Sequence, residues 1–458
     1  MPFNIQRVIY FLGIGGIGMS AMARYFLAKG YIVHGYDRTP TKLTQSLEKE
    51  GMVIHYDEDP NLVPGNTGTV IYTPAIPKEN TELQHFRKLQ IPMFKRAEVL
   101  GMLSNNYKTI ACAGTHGKTT TSTLVAHLLH SSHLGCQAFL GGISKNYQSN
   151  LLLSDESDIL VTEADEFDRS FLHLKPYIAI ITSIDADHLD VYGNRETLVK
   201  AFSSFTEKIA PNGFLILKKG LNLPTQIGGT NKIYTYSVNE KADYDALNIC
   251  LIDGFYQFDL DTPQGLIRDL TLGIPGLYNV ENAVAASAAA LLCGVTADEL
   301  LRGLASFKGV GRRFEIRVNE KEIVYIDDYA HHPEEIAACI RSARALFHNK
   351  KITGIFQPHL FSRTRDFAEA FAESLYMLDE VILLPVYPAR EQPLEGVDSE
   401  MLLSLISNTH KVLLTKSDLP QFFDNLQLEV VLTMGAGDID TLPDILENYF
   451  KTEYHRIA

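Results

Sequence analysis

A chain of 458 residues is long enough for about three domains of ~150 residues each, and a hydrophobic content of 45% supplies ordinary globular cores. A formal net charge of −14 excludes the broad basic surface that nucleic-acid binding needs. Five Cys without a C-x-x-C pair suggest neither a disulfide framework nor a zinc site, and with no signal-peptide pattern at Met1-Pro2-Phe3-Asn4 and no apolar run near ~20 residues, a cytoplasmic protein without membrane contact is expected.

In chain order, Arg7–Leu12 reads as a buried parallel strand, and Gly13-Ile14-Gly15-Gly16-Ile17-Gly18 follows it as G-x-G-x-x-G. Met19–Lys29 reads as a helix closed by Gly30, and Tyr31–Tyr36 as a strand ending on Asp37. A glycine turn before a helix holds a pyrophosphate, and a carboxylate at the next strand end meets a ribose hydroxyl. Dinucleotides and UDP-sugars both offer these groups. Val70–Ile76 (V-I-Y-T-P-A-I) is another strand with its loop at the same edge, where Thr73 and Ala75 either cap the strand or touch ligand. Asn105-Asn106-Tyr107 is the expected domain joint.

Thr109–Ala113 reads as a strand and Ser122–His130 as a helix, with Gly114-Thr115-His116-Gly117-Lys118-Thr119-Thr120 between them. Glycines let backbone N–H groups approach an anion, the helix N-terminus adds partial positive charge, Lys118 reaches the phosphates and Thr119 offers a hydroxyl to Mg²⁺. Cys112 stands where the longer form of this loop has its first glycine, so the loop is a shortened variant.

Asp158–Thr162 is a strand delivering Glu163-Ala164-Asp165-Glu166-Phe167-Asp168, a carboxylate group suited to Mg²⁺. Tyr177–Ser183 is a strongly apolar strand that leads to Asp187-His188-Leu189-Asp190, with His188 a metal ligand or phosphate contact. Pro275–Asn282 opens an Ala-rich helix over Ala283–Leu292, and Asn279 and Asn282 act there either as helix caps or as nucleotide contacts.

Gly309-Val310-Gly311-Arg312-Arg313-Phe314 reads as a hinge carrying two cations that can close on a phosphate or acyl oxygen. Strands over Glu322–Ile326, Lys351–Phe356, Glu380–Pro385 and Glu429–Met434 alternate with helices, as in a doubly wound sheet. Their ends carry Asp327-Asp328-Tyr329-Ala330-His331-His332-Pro333 and Gln357-Pro358-His359-Leu360-Phe361-Ser362-Arg363-Thr364-Arg365. Arg363 and Arg365 sit on a helix surface or grip a small carboxylate.

Gly114–Thr120, Glu163–Glu166, Asp187–Asp190, Asn279 with Asn282, Arg312-Arg313-Phe314 and Asp328–Pro333, in this order, resemble the Mur ligases, ATP-dependent amide-forming enzymes of peptidoglycan precursor synthesis. The resemblance covers essentially the whole chain. It implies an α/β protein of three domains: a Rossmann-like UDP-sugar-binding domain over 1–106, a central P-loop ATPase domain with a mainly parallel sheet over 107–310, and a C-terminal Rossmann-like domain over 311–458 that closes over ATP and binds the amino acid. Gly13–Ser20, Asp328–Pro333 and Phe356–His359 are most similar to the branch that uses UDP-N-acetylmuramate and L-alanine, as a monomer or dimer.

Carried over, the resemblance places the UDP part at Gly13, Gly15, Gly16, Gly18, Asp37, Thr73 and Ala75. ATP falls to Gly114, Thr115, His116, Gly117, Lys118, Thr119, Thr120, Asn279, Asn282, Arg313 and Asp328. Mg²⁺ falls to Thr119 or Thr120 with Glu163, and to His188. Alanine falls to Tyr329, His331 and Arg363, and Lys118, Glu163, His188, Arg313 and His331 are the catalytic set. Phe167 stands where the family often has Ser, and Leu360 where it often has Arg. At the spacing of the carbamylated lysine of some members the chain has Ser203, so none is expected. A murein tripeptide ligase acting on the same UDP-sugar is the near alternative. Folylpolyglutamate synthase is disfavoured by the N-terminal domain. An NAD-dependent oxidoreductase would use only Gly13–Gly18 and Asp37, and a non-catalytic nucleotide-binding module would give Lys118 and Glu163 no work.

Overall fold

A computed structural model describes residues 7–185, 189–238, 240–389, 391–408, 410–424 and 426–452. It holds three sheets. The first has five parallel strands in the order Val53–His55, Ile32–Tyr36, Val8–Leu12, Thr67–Tyr72, Met93–Lys95. Its central strand, V-I-Y-F-L, is buried along its whole length, which is why it reads as an unbroken apolar run.

The second sheet has ten strands, and its middle is parallel: Phe214–Lys218, Ile178–Ile181, Lys108–Ala113, Ile159–Glu163 and Gln137–Ser144 lie side by side. Ser149–Leu152 adds an antiparallel edge. The register sets Cys112 beside Glu163 and Ala113 beside Ile181, so three strand ends open at one edge. The third sheet runs Glu315–Asn319, Val324–Asp328, Val430–Met434, Ile352–Phe356, Glu380–Leu383, Lys411–Leu413, parallel except at the first pair.

The chain divides into two compact units, Met1–Cys250 with Gln257–Gly273 and Val280–Gly309, and Leu251–Tyr256 with Ile274–Asn279 and Val310–Ala458. In the first unit one continuous apolar core joins the first two sheets, with Phe11, Met22 and Phe26 in the same cluster as Phe139, Leu151 and Leu160. In the second unit the two faces of the third sheet carry separate cores, one around Phe356 and Phe371 and one around Tyr325 and Phe450. Among the described residues no helix is long and apolar enough to cross a membrane.

Two helix starts differ from the sequence reading by more than two residues. The helix after the phosphate loop begins at Lys118, four residues early, because Gly117 at φ +80° supplies its left-handed N-cap. The Ala-rich helix begins at Leu277, so Asn279 and Asn282 lie inside it and neither is its N-cap.

Candidate functional site

The phosphate loop is built on backbone that only glycine tolerates. Gly114 has φ +137°, and a Cβ there would stand 2.1 Å from Thr182 Oγ1. A Cβ on Gly117 would stand 2.7 Å from Asn282 Oδ1. The neighbouring strand end holds the loop in place. The Ser183 hydroxyl accepts the His116 backbone N–H at 2.7 Å and meets Thr115 Oγ1 at 2.9 Å, while Thr182 Oγ1 donates to His116 O at 2.5 Å. Asp185 N–H donates to Thr115 Oγ1 at 3.1 Å, and the His116 ring lies 3.7 Å from the Asp185 carboxylate. Asn282 Oδ1 accepts from Thr121 Oγ1 at 3.2 Å, which ties the Ala-rich helix to the loop's own helix.

Lys118 donates to Gly114 O at 2.7 Å and to Glu166 Oε1 at 2.8 Å. Burial alone lowers a lysine's proton affinity; here the carboxylates of Glu166, Asp165 and Glu163 outweigh it and hold Lys118 above its ordinary value. The ammonium therefore stays charged inside the protein. Both Thr119 and Thr120 are buried in the first turn of the helix, and it is Thr119 whose Oγ1 donates to Glu163 Oε2 at 2.8 Å. Gly141 forms the floor under this pair: a Cβ there would lie 1.8 Å from Glu163 Oε2. The thiol of Cys112, fully buried at the root of the loop, is pushed up by burial and then by Glu163, which makes it inert. His188 lies outside the described residues.

The N-terminal glycine loop faces a cleft that Glu163 closes on the other side. Gly13 has φ +83° and packs under Thr73, whose Cγ2 would be 2.6 Å from an added Cβ. The Asp37 carboxylate accepts Gly15 N–H at 2.8 Å and Thr39 N–H at 3.3 Å, so it shapes the loop that it follows in the next strand. Gly16 precedes the helix Ile17–Ala28, and the Arg96 guanidinium lies against Gly18, 2.9 Å from the position of an added Cβ. Ala75 N–H donates to Thr73 Oγ1 at 3.4 Å and closes that turn. A cleft of about 790 Å³, counting the space open to solvent, is lined on one side by Gly16, Gly18, Thr73 and Arg96 and on the other by Gly141, Glu163 and Asp165. The cavity thus joins the N-terminal glycine loop to the strand end at Glu163, with apolar walls at Met22, Leu100 and Phe139 and charge at Arg96, Glu163 and Asp165.

In the second unit, Asp328 ends the strand Val324–Asp328 and is buried. It accepts the Phe314 N–H at 2.5 Å and the Ala330 N–H at 2.6 Å. Burial pushes its carboxyl up to about 6, against the opposing pull of the Arg313 guanidinium and these two N–H groups. Arg313 stands 4.9 Å over the Tyr329 ring. Arg312 pairs through Nε with the buried Asp327 at 3.0 Å and donates from Nη2 to Gly435 O at 2.8 Å. The His331 Nδ1 lies 3.0 Å from Tyr329 O and 3.3 Å from the Glu335 carboxylate, and its ring lies 6.2 Å from that of His359. His359 in turn stacks on Tyr387. Arg363 is half-buried on the short helix Phe361–Asp366, and Arg365 is exposed and paired with Asp366. Asn279 donates to Pro275 O at 2.6 Å in the first turn of its helix.

Several residues of these sites carried no usable signal in the sequence. Glu166 lies in the acidic motif but nothing there marks it as the partner of Lys118, Thr182 and Ser183 are the tail of an apolar strand, and Arg96 and Gly141 belong to no motif. Each acts through a partner far away in sequence: Lys118 for Glu166, the phosphate loop for Thr182 and Ser183, Gly18 for Arg96 and Glu163 for Gly141.

Three family models match the chain: "Mur ligase family, catalytic domain" over residues 8–108, "Mur ligase middle domain" over 112–290, and "Mur ligase, glutamate ligase domain" over 312–437. A UDP-N-acetylmuramate–L-alanine ligase of Porphyromonas gingivalis is 52% identical over 454 residues, covering 98% of this chain and 100% of the relative. The crystal structure of the UDP-N-acetylmuramate–alanine ligase of Thermotoga maritima superposes with a TM-score of 0.82 at 30% identity, covering 98% of this chain and 100% of the other. A murein peptide ligase of Psychrobacter arcticus shares the fold with a TM-score of 0.74 at 22% identity, over 97% of this chain and 99% of the other.

Proposed function

Because the chain belongs to the Mur ligase family, we propose that its cleft carries the reaction for which its nearly full-length sequence relatives are named, the ATP-dependent joining of L-alanine to UDP-N-acetylmuramate. The enzyme is an acid–amino-acid ligase of peptidoglycan precursor synthesis that yields ADP and phosphate. The observation that carries the site reading is the single cleft lined by Gly16 and Gly18 on one wall and Glu163 and Asp165 on the other. Residues 1–106 hold the UDP-sugar, with Gly13, Gly15, Gly16 and Gly18 at the pyrophosphate and Asp37, Thr73 and Ala75 around it. Residues 107–310 hold ATP on Gly114–Thr120 and Asn282. Residues 311–458 bring Arg313, Asp328, Tyr329, His331 and Arg363 to the nucleotide and the amino acid, together with Asn279.

A carboxylate is a poor acylating agent, so it is first phosphorylated. A lactyl oxygen attacks the γ-phosphorus of ATP, the bond to the β-phosphate oxygen breaks, and an acyl phosphate and ADP result. Lys118, aimed from Gly114 O and Glu166, neutralises the transferring phosphoryl group. The Thr119 hydroxyl and Glu163 carboxylate are hard oxygen donors 2.8 Å apart, which fits a divalent cation. Thr119 and Glu163 would hold one Mg²⁺, with His188 the expected holder of a second, and Mg²⁺ there supplies further charge neutralisation. The alanine amine then attacks the acyl carbon, the amide bond forms, phosphate leaves and the amine loses a proton. Nδ1 of His331 lies 3.0 Å from Tyr329 O, a contact that supports an N–H on Nδ1 and a lone pair on Nε2, and on this reading His331 takes that proton. An unchanged turnover of His331→Asn at saturating alanine across pH would remove this role.

Phosphate release from ATP in the presence of UDP-N-acetylmuramate is the test, with L-alanine, L-serine, glycine and murein tripeptide compared as acceptors. Release dependent on L-alanine is expected. Release with the tripeptide and none with L-alanine would overturn the reading.

A further inference from the structure

The N-terminal and central sheets meet along an apolar seam, and apolar contact is non-directional, so it fixes no register between them. Among the described residues, a fully buried amide side chain bonds across that seam. Asn150, on the edge strand Ser149–Leu152, is fully buried. Its Nδ2 donates to Ile17 O at 2.7 Å and to Ser20 Oγ at 2.9 Å, and its Oδ1 accepts from Arg24 Nη1 at 2.5 Å. All three partners belong to the helix Ile17–Ala28, whose first turn is the end of the G-x-G-x-x-G loop. Arg24 is itself anchored on Glu50, with Nη2 at 2.6 Å. A buried amide is costly unless its bonds are made, and these bonds are made in one register only.

From Asn150 the connection to the chemistry is short. Its strand pairs with Gln137–Ser144, which carries Gly141 against Glu163 and pairs in turn with the strand that ends on Glu163. Two further links between these parts, Lys95 to Asp168 at 3.0 Å and Lys29 to Asp155 at 3.5 Å, join exposed or half-exposed charges and fix little.

We propose that Asn150 is a positioning residue for phosphoryl transfer: it sets the glycine loop that seats the sugar nucleotide at a fixed distance from the Lys118–Thr119–Glu163 corner. In-line transfer depends on that distance, and displacements near an ångström are costly in rate. The inference rests on the reading of the cleft given above. The two fail separately: without L-alanine-dependent phosphate release by the unaltered protein that reading falls, whereas the positioning role is judged between variants of an active enzyme.

The test is steady-state kinetics of Asn150→Ala and Ser20→Ala, with Kd for ATP by calorimetry and Tm by scanning. Asn150→Ala is expected to lower kcat at least ~10-fold and to raise KM for UDP-N-acetylmuramate, with Kd for ATP unchanged. Ser20→Ala, which removes one acceptor and leaves the fold intact, shifts the same parameters less and keeps the proposal testable should Asn150→Ala not fold. A lower Tm with unchanged kcat and KM, or a parallel loss of ATP affinity, would overturn it.

Discussion

The phosphate loop and the hinge at residues 309–315 do related work with opposite backbone economies. In the loop, positive φ falls on Gly114 and Gly117, where it costs almost nothing. In the hinge, it falls on Gly309 at +85° but also on Arg312 at +59° and Phe314 at +47°, where a side chain makes it cost on the order of 1–2 kcal/mol per residue. The strain is held by carboxylates: Asp327 on the Arg312 side chain and Asp328 on the Phe314 N–H. A preassembled anion cradle suits a site that must be rigid, and a strained turn pinned by buried charges suits a segment that changes conformation.

The largest test of this contrast removes the cradle's cation. Lys118→Ala is expected to lower kcat about 10³-fold or more, read by phosphate release, while the fold persists, because glycine geometry and the Thr182 and Ser183 contacts hold the loop without it. Full activity in that variant would break the site assignment. Arg312→Ala comes next. It strands the buried Asp327 carboxylate and should destabilise the second unit by about 3 kcal/mol in calorimetry, with the first unit's transition unmoved. Gly141→Ala should cost about 10²-fold in kcat by pushing Glu163 off Thr119, with a smaller change in stability.

The smallest effect separates the units by pH. His127 in the first unit is buried between Tyr147 and Ser306, and burial lowers its pKa to about 4. The unfolded chain, near 6.5, takes up the proton first, so this group's stabilisation is lost as pH falls from ~6.5 towards 4, about 2 kcal/mol at pH 5. Asp328 has the opposite sign: at about 6 it lies above its unfolded value near ~3.9, so the folded second unit takes the proton first. Its contribution grows on acidification through 6, by about 1 kcal/mol at pH 5. Two thermal transitions that shift in opposite directions between pH 7 and 5 are the expected outcome, and His127→Gln should flatten the first. An acid limb near pH 6 in kcat/KM for ATP, absent in Asp328→Asn, would place Asp328 at the nucleotide.

The sequence made the strand–loop–helix units legible because each is encoded locally: an apolar run, a glycine turn, a helix start. Gly13–Gly18, Gly114–Thr120 and Glu163 were readable on that basis. The pairing of Glu166 with Lys118, and the parts of Arg96, Gly141 and Asn150, were not, since each depends on a partner that the fold brings from another element. The boundaries that moved did so for the same reason. Lys118 enters its helix early because Gly117 caps it in a left-handed conformation, and Asn279 joins its helix because the chain turns at Gly276, with φ +97°, and the helix starts at Leu277 rather than Ala283.

The cysteines give this molecule a built-in clock. Cys250 is exposed, whereas Cys112 and Cys136 are buried in the first unit and Cys339 in the second. A native enzyme treated with an alkylating reagent should label quickly at Cys250, next at the partly exposed Cys293, and at the three buried cysteines only as fast as each unit opens. Peptide mapping of the slow labels would then time the breathing of the nucleotide cradle and of the hinge-bearing unit in one sample, with no introduced probe.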